Sequence, residues 1–272
     1  MPRMTFSWPD GKAGAVTTSW DDGTTFDRQL IQVLNKHGLK GTFNLNSAYL
    51  GFSAARSGWK DYVQPEEVAT LYAGHEVACH TTHHPRPHWE PDEQMFAQVI
   101  EDRRALERLT GYPVRGMALP YVGTCDERVH ARIAAAGIRY LRWMAPEPAY
   151  GPPGDFMHWQ VTGHYGKFAE YWEKFSKDKS PEKLLYLWGH SYEFDRDRSW
   201  PTLESLAATV GSCQDLWLAT NGQIHEYVTA WRSLCCSVEG TIVRNLSCLP
   251  VWYRVDGDLR KVGPGDVARV HG

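Results

Sequence analysis

Residues 15–23 read AVTTSWDDG, a β-branched and aromatic run that stops at two adjacent carboxylates and a glycine. A short run of this kind, closed by turn-forming residues, predicts a strand over AVTTSW (15–20). The pattern recurs as KGTFNL (40–45), HEVACH (75–80), VRGMAL (114–119), IRYLRW (138–143), LLYLWG (184–189) and DLWLAT (215–220). Helical periodicity lies between the runs. Residues 25–37 place Phe26, Leu30, Ile31 and Leu34 on one face, residues 91–110 repeat this with Met95, Phe96, Val99, Leu106 and Leu109, and residues 125–136 stop at Gly137. Strands alternating with helices predict a parallel sheet. Asp21-Asp22, His80, Pro120-Tyr121 and His190 each close one of the strands. A βα barrel gathers its site from the C-terminal ends of several strands, whereas an open sheet concentrates it at one switch point. The expected class is α/β, and the expected architecture a barrel.

The character of the chain changes near residue 236. TIVRNLS, LPVWYRVDG and DLRKVGPGDVARV alternate apolar and polar residues around Gly/Asp turns. This predicts a barrel domain over 1–236 and a C-terminal β-strand extension, 237–272, packed on it. The Pro/Gly-rich segment 144–158, APEPAYGPPGDFMHW, is long enough to form a wall or lid of a site.

Over 272 residues the chain is 42% hydrophobic and 12% aromatic, enough for a sizeable core. Twelve Trp and thirteen Tyr suit either a Trp-rich core or stacking on sugars, with packing the commoner use. A net charge of −3 and the absence of a Lys/Arg cluster argue against nucleic acid or an anionic membrane as partner. MPRMTFSWPDGK lacks a secretory apolar core and no run of about 18 apolar residues follows, so the expected location is cytoplasmic. A homo-oligomer is left open. Cys79, Cys125, Cys213, Cys235, Cys236 and Cys248 form no CxxC pair and are expected to be reduced, mostly buried and structural, with Cys235-Cys236 near a helix end.

The chemistry rests on two motifs, SWDDG (19–23) and HTTHH (80–84). Hydrolytic metal sites usually take three His or carboxylate ligands and leave positions open for water and substrate. His80 at a strand end, His84 one helical turn later and one carboxylate of the Asp pair make such a set; the other carboxylate is then placed to act as a base. His83 is a rival to His84. Alone, an Asp pair is more often a turn or cap. Their joint presence with His190 at a third strand end is what points to a site.

SWDDG, HTTHH, a Pro-Tyr after a strand and LWGH, in this order over residues 13–220, resemble the polysaccharide deacetylase family (the NodB homology domain, carbohydrate esterase family four). The resemblance implies a distorted (β/α)7 barrel and metal-dependent removal of N- or O-acetyl groups, usually from amino-sugar polymers. It implies one divalent ion, zinc by preference with Co, Ni or Mn as substitutes, held by Asp22, His80 and His84. It makes Asp21 the base, His190 the general acid and the Tyr121 backbone N–H an oxyanion donor. The family's LxH motif is met by Leu187-Trp188-Gly189-His190, one residue longer, and Ser19 stands where the family prefers Thr. Substrate contacts are expected from Pro120, Trp159, His164, Trp188 and Glu193, the last as an orienter of His190 or as a surface carboxylate.

Two departures bear on the reaction. Where the family places an Arg that steadies the base, this chain has Ala118, and Arg115, at an odd offset on the strand, faces the other side. No clear DxxDW-like motif is present, although Asp155, His158 and Trp159 lie in its region. The leading expectation is a deacetylase acting on an acetylated sugar, oligosaccharide or related amide. Its rivals are a hydrolase of a small cyclic imide or ureide, as in allantoinase-like relatives, and a non-catalytic carbohydrate-binding barrel.

Overall fold

The computed structural model describes residues 3–121 and 126–270; Cys125, at the start of the helix expected over 125–136, lies outside them. The strands in chain order are β1 (Met4–Phe6), β2 (Gly14–Asp22), β3 (Gly41–Leu45), β4 (Glu76–Cys79), β5 (Gly116–Ala118), β6 (Tyr140–Trp143), β7 (Trp159–Gln160), β8 (Gly163–His164), β9 (Leu184–His190), β10 (Leu216–Leu218), β11 (Cys235–Cys236), β12 (Ile242–Arg244), β13 (Val251–Val255), β14 (Asp258–Val262) and β15 (Val267–Arg269). All seven strands expected from the sequence are present. The expected helices appear as Asp27–Lys36, Asp92–Thr110 and Glu127–Ala135.

Nine strands form the central sheet, in the order β7-β6-β5-β4-β3-β2-β9-β8, with β10 added beside β2. Every pairing in it is parallel. β2 is the longest strand and is buried along its length. β9 runs along one of its edges, from Ala15↔Leu184 to Asp21↔His190. Its other edge is taken first by β10 and then by β3.

β7 and β8 stand at opposite ends of that order, yet only Val161 and Thr162 separate them in the chain. The step from Gln160 to Gly163 spans at most about 11 Å, so the sheet must curl until its ends meet. Val161 N–H donates to the Trp143 carbonyl (3.4 Å) on β6, and Thr162 N–H donates to the Tyr186 carbonyl (2.9 Å) on β9. Two successive residues thus tie the two ends together, and the distorted barrel is closed by its own chain. The sequence offers no sign of this seam, because two-residue strands leave no period to read.

Two small antiparallel sheets, β1-β13-β14 and β11-β12-β15, lie outside the barrel. The C-terminal strands therefore recruit the N-terminal strand. Tyr227, on the helix Asn221–Arg232, fixes this arrangement: its hydroxyl donates to the Ser7 carbonyl (2.7 Å) and accepts from Trp252 N–H (3.1 Å). Cys235-Cys236 follow the end of the helix Asn221–Arg232, as expected, and form the short strand β11. The expectation of mostly buried thiols is corrected. Of the five described cysteines only Cys79 is buried, while Cys235, Cys236 and Cys248 are exposed. No helix among the described residues is long and apolar enough to cross a membrane.

Candidate metal centre and active site

The site grows out of the end of β2. Side chains alternate along a strand, so Ser19 and Asp21 share one face while Trp20 turns outward against Tyr165 and Phe194. Strict alternation would send Asp22 outward too. Instead Asp22 leaves the strand at φ 80°, a left-handed conformation that Asp tolerates better than bulkier residues. Both carboxylates thereby reach one pocket. Strand register brings their neighbours: Asp21 lies beside Asn44 on β3 and His190 on β9.

His80 and His84 come from the loop after β4. This loop is not the helical turn that the i, i+4 spacing suggested; it is bent by left-handed residues at Thr81 (φ 66°) and His84 (φ 52°). Asn46 holds the bend by donating to the carbonyls of His80 (2.6 Å) and Thr81 (2.9 Å). Buried Asp102 accepts the His80 (3.0 Å) and Ser47 (2.9 Å) backbone N–H groups. His80 Nδ1 lies 2.9 Å from the Ala118 carbonyl, an acceptor only, so the proton sits on Nδ1 and Nε2 is free for the site. The resulting convergence is close. His80 Nε2 and His84 Nε2 each lie 3.7 Å from Asp22 Oδ1, and the three donors fall within 4.8 Å of one another. His83 points elsewhere: its Nδ1 lies 3.3 Å from Gln98 Nε2 and its N–H donates to Gln98 Oε1.

The protonation states suit a cation. Burial pushes His80 down to about 3 and lowers His84 as well, which keeps both imidazoles neutral, the ligating form. Burial, with the Asp21 charge adding to it, raises Asp22 to about 6 against the pull of His190. No Lys or Arg among the described residues forms an ion pair with Asp22. A buried carboxylate that faces two neutral imidazoles, with His190 3.9 Å away its one cationic ion-pair partner among the described residues, leaves room for the charge of a divalent ion, so the donor set fits the implied metal.

Asp21 is handled differently. Burial alone would raise its pKa, but Arg142, His80 and His190 outweigh it and hold Asp21 below the usual carboxylate range. Arg142 Nη2 is 2.6 Å from Asp21 Oδ2, and Asn44 Nδ2 donates to Oδ1 at 2.8 Å. Arg142 was not singled out from the sequence. It lies on β6, paired in register with Ala118 on β5, and so enters the same face one strand further round. Its guanidinium also sits 5.1 Å from the Trp188 ring centre. Arg115 points away, to the Gly137 carbonyl. IRYLRW carries two arginines, Arg139 and Arg142, and the second, near the C-terminal end of the strand, was the available signal.

His190 Nε2 lies 4.0 Å from Asp21 Oδ2 and 3.9 Å from Asp22 Oδ2. Its Nδ1 is 3.4 Å from Glu193 Oε1, and Glu193 Oε2 accepts from the His190 N–H (3.1 Å) and pairs with His164 Nε2 (2.8 Å). Burial would lower His190, but Glu193, Asp21 and Asp22 raise it above the ordinary imidazole value. Glu193 and His164 therefore stand behind His190 rather than in the cavity.

The cavity over these residues is about 540 Å3, with Tyr49, Trp59, Tyr62, Tyr121, Trp188 and Tyr192 among its walls. Tyr121 follows buried Pro120, adopts φ 62° and is 44% exposed. Of the residues expected to touch substrate only Trp188 lines the cavity; Pro120, His164 and Glu193 do not, and two further expectations are corrected. Trp159 is fully buried among Tyr140, Phe156 and Tyr186 and lines no part of the cavity. Of the segment 144–158 only Met144 reaches it; the carbonyls of Pro153 and Gly154 instead accept from Arg232 (2.6 and 3.2 Å). The opposite wall comes from the segment between β3 and β4, which the sequence did not mark.

Residues 9–141 match the polysaccharide deacetylase family. The match takes in just under half of the chain, and over it the sequence is similar to that family. Two curated members show the range of likeness. The chitooligosaccharide deacetylase of Sinorhizobium fredii is 30% identical over 146 residues, covering 52% of this chain and 62% of that one. Chitin deacetylase 1 of Cryptococcus neoformans is 26% identical over 162 residues, 58% of this chain and 32% of that protein. The chain thus spans about a third and about three fifths of the length of these relatives. Among solved structures, a Mycobacterium smegmatis protein assigned to the polysaccharide deacetylases superposes at TM-score 0.61 and 19% identity, covering 85% of this chain and 96% of that one; at this identity the likeness concerns the fold.

The loop geometry separates the two rival histidines of this site. His84→Ala is expected to cost one bound divalent ion per chain in elemental analysis after gel filtration, whereas His83→Ala leaves the content unchanged. The reverse result would assign the ligand to His83.

Proposed function

We propose that this protein is a metal-dependent deacetylase that removes acetyl groups from N-acetylated amino sugars or their oligosaccharides. The observation that carries this reading is the pairing of a base-type carboxylate, Asp21, held ionised by Arg142, with a separate three-donor set, Asp22, His80 and His84, at the floor of an aromatic-walled cavity. The relatives named for chitin and chitooligosaccharide support it. The breadth of the cavity favours a sugar ring over a small ureide, and an intact base and ligand set argues against a purely binding barrel.

Asp22, His80 and His84 would hold the ion, with zinc the choice best matched to two imidazoles and a carboxylate. When bound, such an ion polarises a carbonyl and lowers the pKa of water. The remaining work falls to the protein. Asp21, kept unprotonated, accepts the proton of the attacking water. The Tyr121 N–H, at the strained turn after β5, is available to an oxyanion. His190, kept protonated by Glu193 and facing the pocket from the opposite strand, donates a proton to the departing amine. Trp188, over which Arg142 lies, and the tyrosines supply apolar faces for the sugar.

Asp21→Asn is expected to retain zinc while acetate release from N-acetylglucosamine oligomers falls by about 10^3-fold or more, in line with loss of a catalytic base and its electrostatics. Unchanged turnover, or turnover confined to cyclic imides in a parallel ammonia assay, would reject the reading. The raised His190 sets an alkaline limit: the acid form is lost as pH rises through its pKa. Glu193→Gln removes the anion that raises it. The alkaline limb of kcat/KM should therefore move to lower pH, and an unmoved limb would remove His190 from the role of acid.

A further inference from the structure

A second group of ligating side chains lies apart from the pocket and plays no part in the chemistry above. Glu127 and His130 are one turn apart on the helix Glu127–Ala135, and His158 closes the short turn Phe156–His158 just before β7. One donor atom from each falls within 4.8 Å of the others, and none of the three lines the cavity. The His130 and His158 rings meet edge to face at 4.1 Å.

His130 is the observation that asks for a ligand. It is 5% exposed, and among the described residues neither of its buried ring nitrogens has a hydrogen-bond partner. A buried imidazole must offer at least one lone pair and one N–H, and leaving both unmet is unfavourable. His158 is already oriented as a ligand. Its Nδ1 lies 2.9 Å from Asp155 Oδ2, a contact that places the proton on Nδ1 and leaves Nε2 available. A carboxylate behind a histidine in this way is a common support for a metal-bound imidazole. Asp155 is itself fixed by accepting the Met157 N–H (2.9 Å). Two donors on one zinc ion stand at most about 4.2 Å apart, so atoms already within 4.8 Å of one another need only a small adjustment to share an ion, and exposed Glu127 has room to move.

We propose that Glu127, His130 and His158 form a second zinc site, structural in role, that fastens the segment entering the barrel seam to the helix Glu127–Ala135. Two imidazoles and one carboxylate select a borderline-soft ion over calcium or magnesium. The next residue, Trp159, is fully buried and begins β7, so an ion held by His158 anchors the strand at which the barrel closes.

The test is zinc stoichiometry. Protein stripped with chelator, reloaded with zinc chloride and passed through a desalting column should carry two ions per chain by elemental analysis. His158→Gln should carry one, keep acetate release within about twofold of the wild type, and lose part of the zinc-dependent rise in Tm. His158 is only half-buried at a surface turn, so the substitution is compatible with folding. Exposed Glu127→Gln provides a milder variant, expected to weaken the second ion at least tenfold in competition with a chromogenic chelator. His84→Ala reports on the other site and keeps the two counts separate. One ion per wild-type chain that His84→Ala removes, or two ions retained by His158→Gln, would overturn the proposal.

Discussion

The ion pair between Asp21 and Arg142 is the constraint around which the site is arranged. Both side chains are almost fully buried, and their atoms meet at 2.6 Å. Leaving either one unpaired in such a place would cost on the order of 3–5 kcal/mol, so the barrel must keep β2 and β6 in fixed relation. Asp21 receives its neighbours by strand register, Asn44 from one side and His190 from the other. Arg142 comes across the barrel interior from a strand that does not touch β2 in the sheet order. A curled sheet permits this contact; a flat one would hold the two strands too far apart.

The same pair separates the duties of two adjacent carboxylates. Asp21 has a permanent cation and stays ionised, while Asp22 has none and is raised by burial and by its neighbour's charge. One is thereby suited to take a proton and the other to hold a metal ion. The backbone carries the cost of this division. Asp22, Thr81, His84 and Tyr121 all adopt positive φ; Asp22, His84 and Tyr121 line the pocket, and Thr81 follows the lining residue His80. Strain of this sort persists where packing and hydrogen bonds over-determine it, and Asn46, Asp102 and the Ala118 carbonyl supply those restraints around His80.

Much of this was legible in the sequence because strand ends announce themselves. Asp21-Asp22, His80 and His190 interrupt apolar runs at the point where a barrel opens, and the strands were found where those runs lie. Three features were not legible, each for a physical reason. The choice between His83 and His84 depends on left-handed residues in the loop, which spacing on an assumed helix cannot express. The seam at residues 159–164 is made of pieces too short to show alternation, and this led to Trp159 being expected in the pocket when it is part of the core. Arg142 fills the place expected of an arginine at Ala118, but from the adjacent strand, and register between strands is a property of the fold. The replacement keeps the charge beside the base and changes the direction from which it arrives.

The most direct test of this account is the proton affinity of Asp21 itself, followed by carbon-13 NMR of labelled aspartate carboxyls in metal-free protein, with Asp21→Asn to assign the resonance. The ionised signal should persist below the ordinary Asp value of about 3.9, down to the acid limit of the fold. In Arg142→Met the midpoint should rise by more than about one unit, since an adjacent cation typically lowers a carboxylate by 1–3. An Asp21 that titrates at the ordinary value in the wild type, or a midpoint indifferent to loss of Arg142, would contradict the central role given to this pair.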